Sequence, residues 1–305
     1  MTIAAALTYD SGVLLCADTQ MEAGALKIHA PKVGSFECPG GRIGFALAGH
    51  TSFAISAIQK CSQKLRDAKA HEIIEKLKET LEREYCRVVF KHPNYKTDWN
   101  LAYWFLLAFW SCSDKQVWLF ATEEQTLRSI NTTYECIGIG RDLAHYLLAT
   151  PPTLSGMNEQ RALLLAAYML ARVKEHVPGC GGASHILLLR NDGTFDLVDP
   201  FAFDLVVRQS AIYEWNAREL IFAATDSGVT DSQFEQHINI FSATARHIRN
   251  LWRQNQANDV VFSALWKELS NKINSVKAQP SPQSTTADPS RPQPSPESHG
   301  ETRES

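Results

Sequence analysis

Apolar residues in the first fifty positions come in short runs broken by turns. TIAAALTY (2–9) and VLLCADT (13–19) flank a DSG turn, a loop carrying Gly24 and Pro31 follows, and RIGFALAG runs from Arg42 to Gly49. Runs of this length and residue type predict antiparallel strands. From Thr51 the spacing changes. TSFAISAIQKCSQKL repeats apolar positions three and four apart, and AHEIIEKLKETLEREYC does the same with dense charge on its other face, so two packed helices are expected.

Strand patterning returns in WNLAYWFLLAFW, KQVWLFAT and TYECIGIG, the first two joined by a polar CSDK turn. After Arg141 helical spacing resumes. NEQRALLLAAYMLARVKEHV, with Asn158 as its N-cap, is the clearest helix, and Pro178 and the glycines of PGCGG stop it. ASHILLLR and TFDLV then flank NDG, a strong hairpin signal. Residues 205–275 read as mostly helical, either packed on the core or forming a small appendage. A parallel βαβ series would alternate more regularly than this order does, so the fold class is α+β, with antiparallel sheets covered by helices.

From Ala278 onward the chain holds six of its 13 prolines and no aromatic, Ile, Leu or Val residue. Such a segment buries too little surface to offset its ordering entropy. The expected division is therefore a core over 2–204, a helical extension over 205–277 and a disordered tail over 278–305, with a proline-rich docking ligand as the minor reading of the tail.

Composition narrows the classes of function. Thirty basic and 33 acidic side chains give a formal net charge of −3, which supplies no overall field for nucleic acid or an anionic membrane. The seven cysteines are scattered and never form a C-x-x-C pair, a pattern of buried thiols in a reducing cytosol. Asp10 and Asp18 interrupt the opening apolar runs, so no export signal is expected, and LAYWFLLAFWSC is shorter than the ~20 residues a membrane span needs. The expected location is cytoplasmic, with neither nucleic acid nor membrane as partner. His145, His185 and His237 lack ligand spacing, so no metal or other cofactor is expected. Trp99, Tyr103, Trp104, Phe105, Phe109 and Trp110 are assigned to core or subunit interface.

The opening also carries candidate chemistry. With Met1 removed, Thr2 would present an amine and a hydroxyl together. A hydroxyl needs a base within hydrogen-bond reach, and an α-amine with a reference pKa of ~7.7–8.0 is partly neutral near physiological pH. Lys32 beside Thr2 would favour the neutral amine and a developing alkoxide, and Asp18 would hold that lysine charged and oriented.

Around these residues the chain resembles the proteasome family of N-terminal nucleophile hydrolases. Family β-type subunits begin with Thr, then carry an apolar strand, a Gly-containing turn, a second strand ending in Ala-Asp-(Ser/Thr), a lysine before the next strand and an Ala-Gly. Here these are Thr2, IAAALTY, Gly12, VLLCADT with Asp18, Lys32 and Ala48-Gly49. CIGIG is similar to the family's Val-Gly-Ser-Gly segment, and GCGGASHILLLRNDG to its Ser-Gly-Gly turn, strand and hairpin. The resemblance covers roughly residues 2 to 200.

It implies a four-layer αββα sandwich, assembly into rings of copies or of proteasome-like subunits, an ATP-dependent unfoldase as partner, and hydrolysis of peptides or unfolded polypeptide through an acyl-enzyme. Carried over, Thr2 is nucleophile and base, Asp18 and Lys32 support it, and the backbone N–H of Gly49 lies in the oxyanion hole. Met21, Leu47 and Thr51 fall on the substrate pocket wall, which suits an apolar side chain. With only Met1 ahead, methionine aminopeptidase suffices to expose Thr2, and there is no room for the N-terminal helix of the family's non-catalytic α type.

Two positions depart from the active pattern. Ile139 stands where the family has a serine near the threonine amine, and Val177 where it has an aspartate; Glu175 or His176 substitutes if the helix end is shifted. Two alternatives to a threonine peptidase follow: a ring or scaffold subunit with impaired catalysis, and a hydrolase of the same superfamily acting on a non-peptide amide. His50 either lines the cleft or is a local packing residue.

Overall fold

The structure, a computed structural model, describes residues 2–23, 26–95, 101–149, 156–198 and 200–250. Trp99, residues 251–277 of the expected extension and the expected tail lie outside the described residues. In chain order the elements are β1 (Ile3–Tyr9), β2 (Gly12–Asp18), β3 (Gln20–Ala23), β4 (Leu26–His29), β5 (Val33–Cys38), β6 (Gly41–Gly49), α1 (Thr51–Lys64) and α2 (Ile73–Tyr85). There follow β7 (Tyr103–Ser111), β8 (Gln116–Glu123), β9 (Thr126–Ser129), β10 (Tyr134–Gly138), α3 (Arg141–Ala149), α4 (Glu159–His176), β11 (Ser184–Arg190), β12 (Phe195–Val198) and α5 (Pro200–Thr225). Residues 231–245 are helical again.

This is a mixed α/β fold with two antiparallel five-stranded sheets, ordered β10-β1-β2-β11-β12 and β5-β6-β7-β8-β9, and a separate β3-β4 hairpin. Alternation along each strand explains how both faces are used. Ile3, Ala5 and Leu7 of β1 and Leu14 and Cys16 of β2 pack with Ala144 and Leu148 of α3 and Ala166, Leu170 and Val173 of α4. The intervening residues Ala4, Ala6, Leu15 and Ala17 pack instead with Ala46 and Ala48 of β6 and Leu106 and Ala108 of β7. On the second sheet the remaining positions, Ile43, Leu47, Phe105 and Leu107, join Ala54, Ile58, Leu77 and Leu81 of α1 and α2. Both sheets are thus buried on both faces, which accounts for the nearly unbroken apolar runs of β1, β2 and β7. The alanines between them let the two sheets approach closely.

The elements expected from periodicity form, with boundaries moved at three places. The loop expected over 20–41 contains the β3-β4 hairpin and β5. A further short strand, β9, follows the KQVWLFAT run. The helical stretch expected from 205 begins at Pro200, because proline is tolerated in a first helical turn, where its missing N–H costs no bond. Phe203 of α5 is buried in the first cluster, and Arg172 of α4 pairs with Glu214 of α5. Tyr213 and Asn216 of α5 meet Phe241 (ring centroids 5.0 Å apart) and Thr244 (3.1 Å).

Packing of this kind sets a stability test. Leu77→Ala empties a solvent-free position under α2 and should cost about 2–5 kcal/mol, whereas Leu197→Ala on exposed β12 should change stability by less than about 0.5 kcal/mol. Denaturant midpoints at equal m-value check both; equal losses would contradict the described core.

Candidate active site

Thr2 precedes β1 and takes its place two residues before Ala4, on the side of the strand that faces the second sheet. Asp18 is the last residue of β2, and Lys32 lies just before β5, its carbonyl accepting from Leu47 N–H of β6 at 2.9 Å. The three side chains meet. Lys32 Nζ donates to Asp18 Oδ1 at 2.9 Å, to Thr2 Oγ1 and to the backbone carbonyl of Gln20. Those three bonds use all the donors of an ammonium. The group has no water to turn to, since Lys32 and Asp18 are 0% exposed and Thr2 1%. Burial pulls the Lys32 ammonium below the ordinary lysine range, and the opposing pull of Asp18 only partly restores it.

Asp18 is held from three directions. Besides Lys32, Ile3 N–H donates to Oδ1 at 3.3 Å and Gly181 N–H to Oδ2 at 2.9 Å. The turn carrying Gly181 is itself fixed by Gln20 N–H to its carbonyl and by Thr19 N–H to the Ala183 carbonyl, both 3.0 Å. These backbone partners are the part of the site that residue patterns do not reveal. The GCGG motif was their one visible signal, because glycines permit backbone to come this close.

Gly138 ends β10 beside Thr2. A Cβ there would lie 2.2 Å from the Thr2 carbonyl and 3.2 Å from Ala48 Cβ, and φ is +94°, so only glycine lets the strand pass between Thr2 and the Ala48-Gly49 end of β6. Gly49, at φ +87°, turns the chain from β6 into α1. Its carbonyl accepts from the Thr51 hydroxyl at 3.5 Å, and its N–H belongs to the strand end that leads into the positive end of a helix. His50 is a capping residue, Nδ1 accepting from Phe53 N–H at 3.4 Å while the rings stack 3.9 Å apart. Of the expected pocket wall, Leu47 is buried in the cluster under α1, Thr51 is the buried first residue of α1, and Met21 sits half-buried on β3 opposite Ile28.

Ile139 follows Gly138 and is 39% exposed, and Val177 is the half-buried C-cap of α4, with N–H to the Val173 carbonyl at 2.8 Å. Glu175 and His176 are exposed on the last turn of α4, with Glu175 bonded to Arg172 at 2.6 Å. Cys180 is buried near Asp18 and Lys32; burial pushes its thiol up to about 12, so it stays protonated. A hollow of about 390 Å³ adjoins the cluster, walled partly by Thr19, Pro31 and Gly182, the chain neighbours of Asp18, Lys32 and Gly181. Among the described residues no group of three or more His, Cys, Asp or Glu side chains is placed to hold a metal ion.

No family model and no curated protein matches the sequence. Solved structures do match in fold. An Anbu Gly-1 mutant from Hyphomicrobium sp. strain MC1 has a TM-score of 0.60 at 13% identity, covering 72% of this chain and 99% of that one. The Pseudomonas aeruginosa Anbu complex, described as a helical assembly, gives 0.59 at 15%, over 71% and 95%. Anbu from Yersinia bercovieri, described as an ancestral β-subunit, gives 0.59 at 12%, over 75% and 99%. The chain therefore has the fold of these Anbu proteins.

Proposed function

We propose that the chain is a proteasome-like subunit that hydrolyses peptide bonds through Thr2 once Thr2 is the first residue. The observation that carries this reading is the buried Lys32 ammonium joining Thr2 Oγ1 to Asp18 Oδ1. In this reading the clusters on either side of each sheet are the αββα sandwich of an N-terminal nucleophile hydrolase. Residues 2–204 carry the chemistry, 205–277 form an extension and 278–305 a tail.

The Thr2 amine takes the Oγ1 proton as Oγ1 attacks the substrate carbonyl. Lys32 lowers the energy of the developing alkoxide, and Asp18 keeps Lys32 charged and aimed. The tetrahedral oxyanion accepts from Gly49 N–H. The amine then gives its proton to the leaving nitrogen, the C–N bond breaks and an ester on Oγ1 remains. Water, deprotonated by the same amine, cleaves that ester and returns the proton to Oγ1. Met21, Leu47 and Thr51 wall an apolar pocket for the acyl side chain. The substrate is peptide or unfolded polypeptide in the cytoplasm, copies of the chain assemble with one another as a ring or open helix, and an ATP-dependent unfoldase feeds them.

The apolar side chains at Ile139 and Val177 favour a second reading, a subunit of the same assembly without turnover. Intact mass of the purified protein, before and after a β-lactone or epoxyketone, separates the two. The peptidase reading expects loss of Met1 and one adduct that is absent in Thr2→Ala. A chain that keeps Met1, or a mature chain that never labels, sinks it and leaves the scaffold.

Lys32→Met should slow labelling by at least about 100-fold, because it removes the charge that stabilises the alkoxide. It should also lower stability by about 3–5 kcal/mol, because Asp18 is left as an unpaired buried carboxylate. Labelling rates alongside thermal unfolding check the pair of effects; undiminished labelling would remove Lys32 from the mechanism.

A further inference from the structure

Gln20 is a polar side chain in a place that does not suit one. It is 7% exposed, and its Nε2 is shut off from solvent without a hydrogen-bond partner. An unpaired buried amide costs about 1–3 kcal/mol, so an apolar side chain of this size would be more stable in the chain as described. The amide is also tightly seated: a Cβ on Gly181 would lie 2.4 Å from Gln20 Oε1, so glycine at 181 is what admits it.

Its surroundings are those of the reacting groups. The backbone carbonyl of Gln20 and Thr2 Oγ1 bond the same Lys32 ammonium, which puts those two oxygens within about 6 Å of each other. The amide lies against Gly181, and the N–H of that residue holds Asp18. Loss of Met1 would give the Thr2 nitrogen one further N–H as a neutral amine, or two as an ammonium. A half-turn of the amide about its last torsion exchanges Oε1 for Nε2 at little cost and offers an acceptor.

We infer that Gln20 is the positioning residue for the Thr2 amine: its Oε1 accepts one amine N–H and turns the nitrogen lone pair toward Oγ1. This rests on the reading of Thr2 as a free amino terminus and fills the gap left by Ile139 and Val177. The charged and titratable groups around this end of β1 are Asp18 of β2, Lys32 before β5, Cys180 of the 177–183 turn, Lys174 of α4 and, opposite Gln20 on β4, His29, whose Nδ1 is 3.2 Å from the Thr19 hydroxyl. Gln20 adds a neutral amide acceptor to these groups, and a neutral acceptor favours the ammonium modestly.

The test uses full-length chain released from a removable N-terminal fusion so that Thr2 is the first residue. The amine pKa is measured by competitive acylation with acetic anhydride across pH 6–10, a readout that requires no turnover. Removing the acceptor in Gln20→Leu should lower that pKa by about half a unit or more, and Gln20→Glu should raise it above wild type. A packing role alone would not move the two variants in opposite directions. Labelling by the β-lactone should fall about 10-fold in Gln20→Leu at saturating pH. Coincident amine titrations in the three proteins would overturn the assignment, as would shifts of the same sign. A wild type that shows the opposed pKa shifts but never labels would keep the assignment and discard the peptidase reading.

Discussion

A charged ammonium without water has to place every proton on an acceptor, and Lys32 does so with side chains and backbone drawn from three separate segments. Thr2 comes from the start of β1, Asp18 from the end of β2 and the Gln20 carbonyl from the start of β3. Removing any one acceptor leaves a buried charge short of a bond, at a cost comparable to a sizeable share of a domain's stability. The network therefore ties the strand ends together as firmly as any apolar contact nearby. The Leu47 N–H bond to the Lys32 carbonyl extends the tie to β6, so the second sheet is registered against the first at this point.

Close approach is the other half of the constraint. Three chain reversals converge on Thr2, and each brings backbone where a side chain would collide. Gly138 passes between Thr2 and Ala48, Gly49 turns into α1, and Gly181 presses on Gln20 while directing its N–H at Asp18. The alanines Ala4, Ala6, Ala17, Ala46 and Ala48 continue the same logic between the sheets. Small residues hold the sheets near enough for a lysine on one side to reach a hydroxyl on the other, and water has no room at the junction.

Sequence patterning revealed what depends on periodicity. Short apolar runs bounded by turns gave β1, β2, β6, β7 and the β11-β12 hairpin, the three-four spacing gave α1, α2 and α4, and Asn158 caps α4 through the Arg161 N–H at 3.0 Å. Thr2, Asp18 and Lys32 were visible because each sits at a strand boundary in a recognisable order. The stretch from 20 to 41 was not legible. QMEA, LKIH and VGSFEC are short, carry charge or small polar residues, and LKIH is exposed along its length, so no apolar face marked them as strands. Gln20 was hidden for the same reason. Its carbonyl function is independent of side-chain type, and a glutamine in a short polar run reads as surface.

The burial of the site bears on its chemistry as well as its stability. In a low-dielectric setting each fixed dipole and charge acts more strongly than it would in water, so the Asp18 carboxylate 2.9 Å away opposes the loss of charge that burial favours at Lys32. Burial draws the Lys32 ammonium below its ordinary range, and Asp18 pulls the other way and keeps the charge in place. On the peptidase proposal, a lysine held charged in that way pairs with the alkoxide as it develops on Thr2 Oγ1. On the peptidase proposal, the same closed space that makes the ammonium expensive to keep makes it effective once a substrate carbonyl arrives. For that reason the acceptors that hold Lys32 in place belong to the proposed mechanism as much as the hydroxyl it faces.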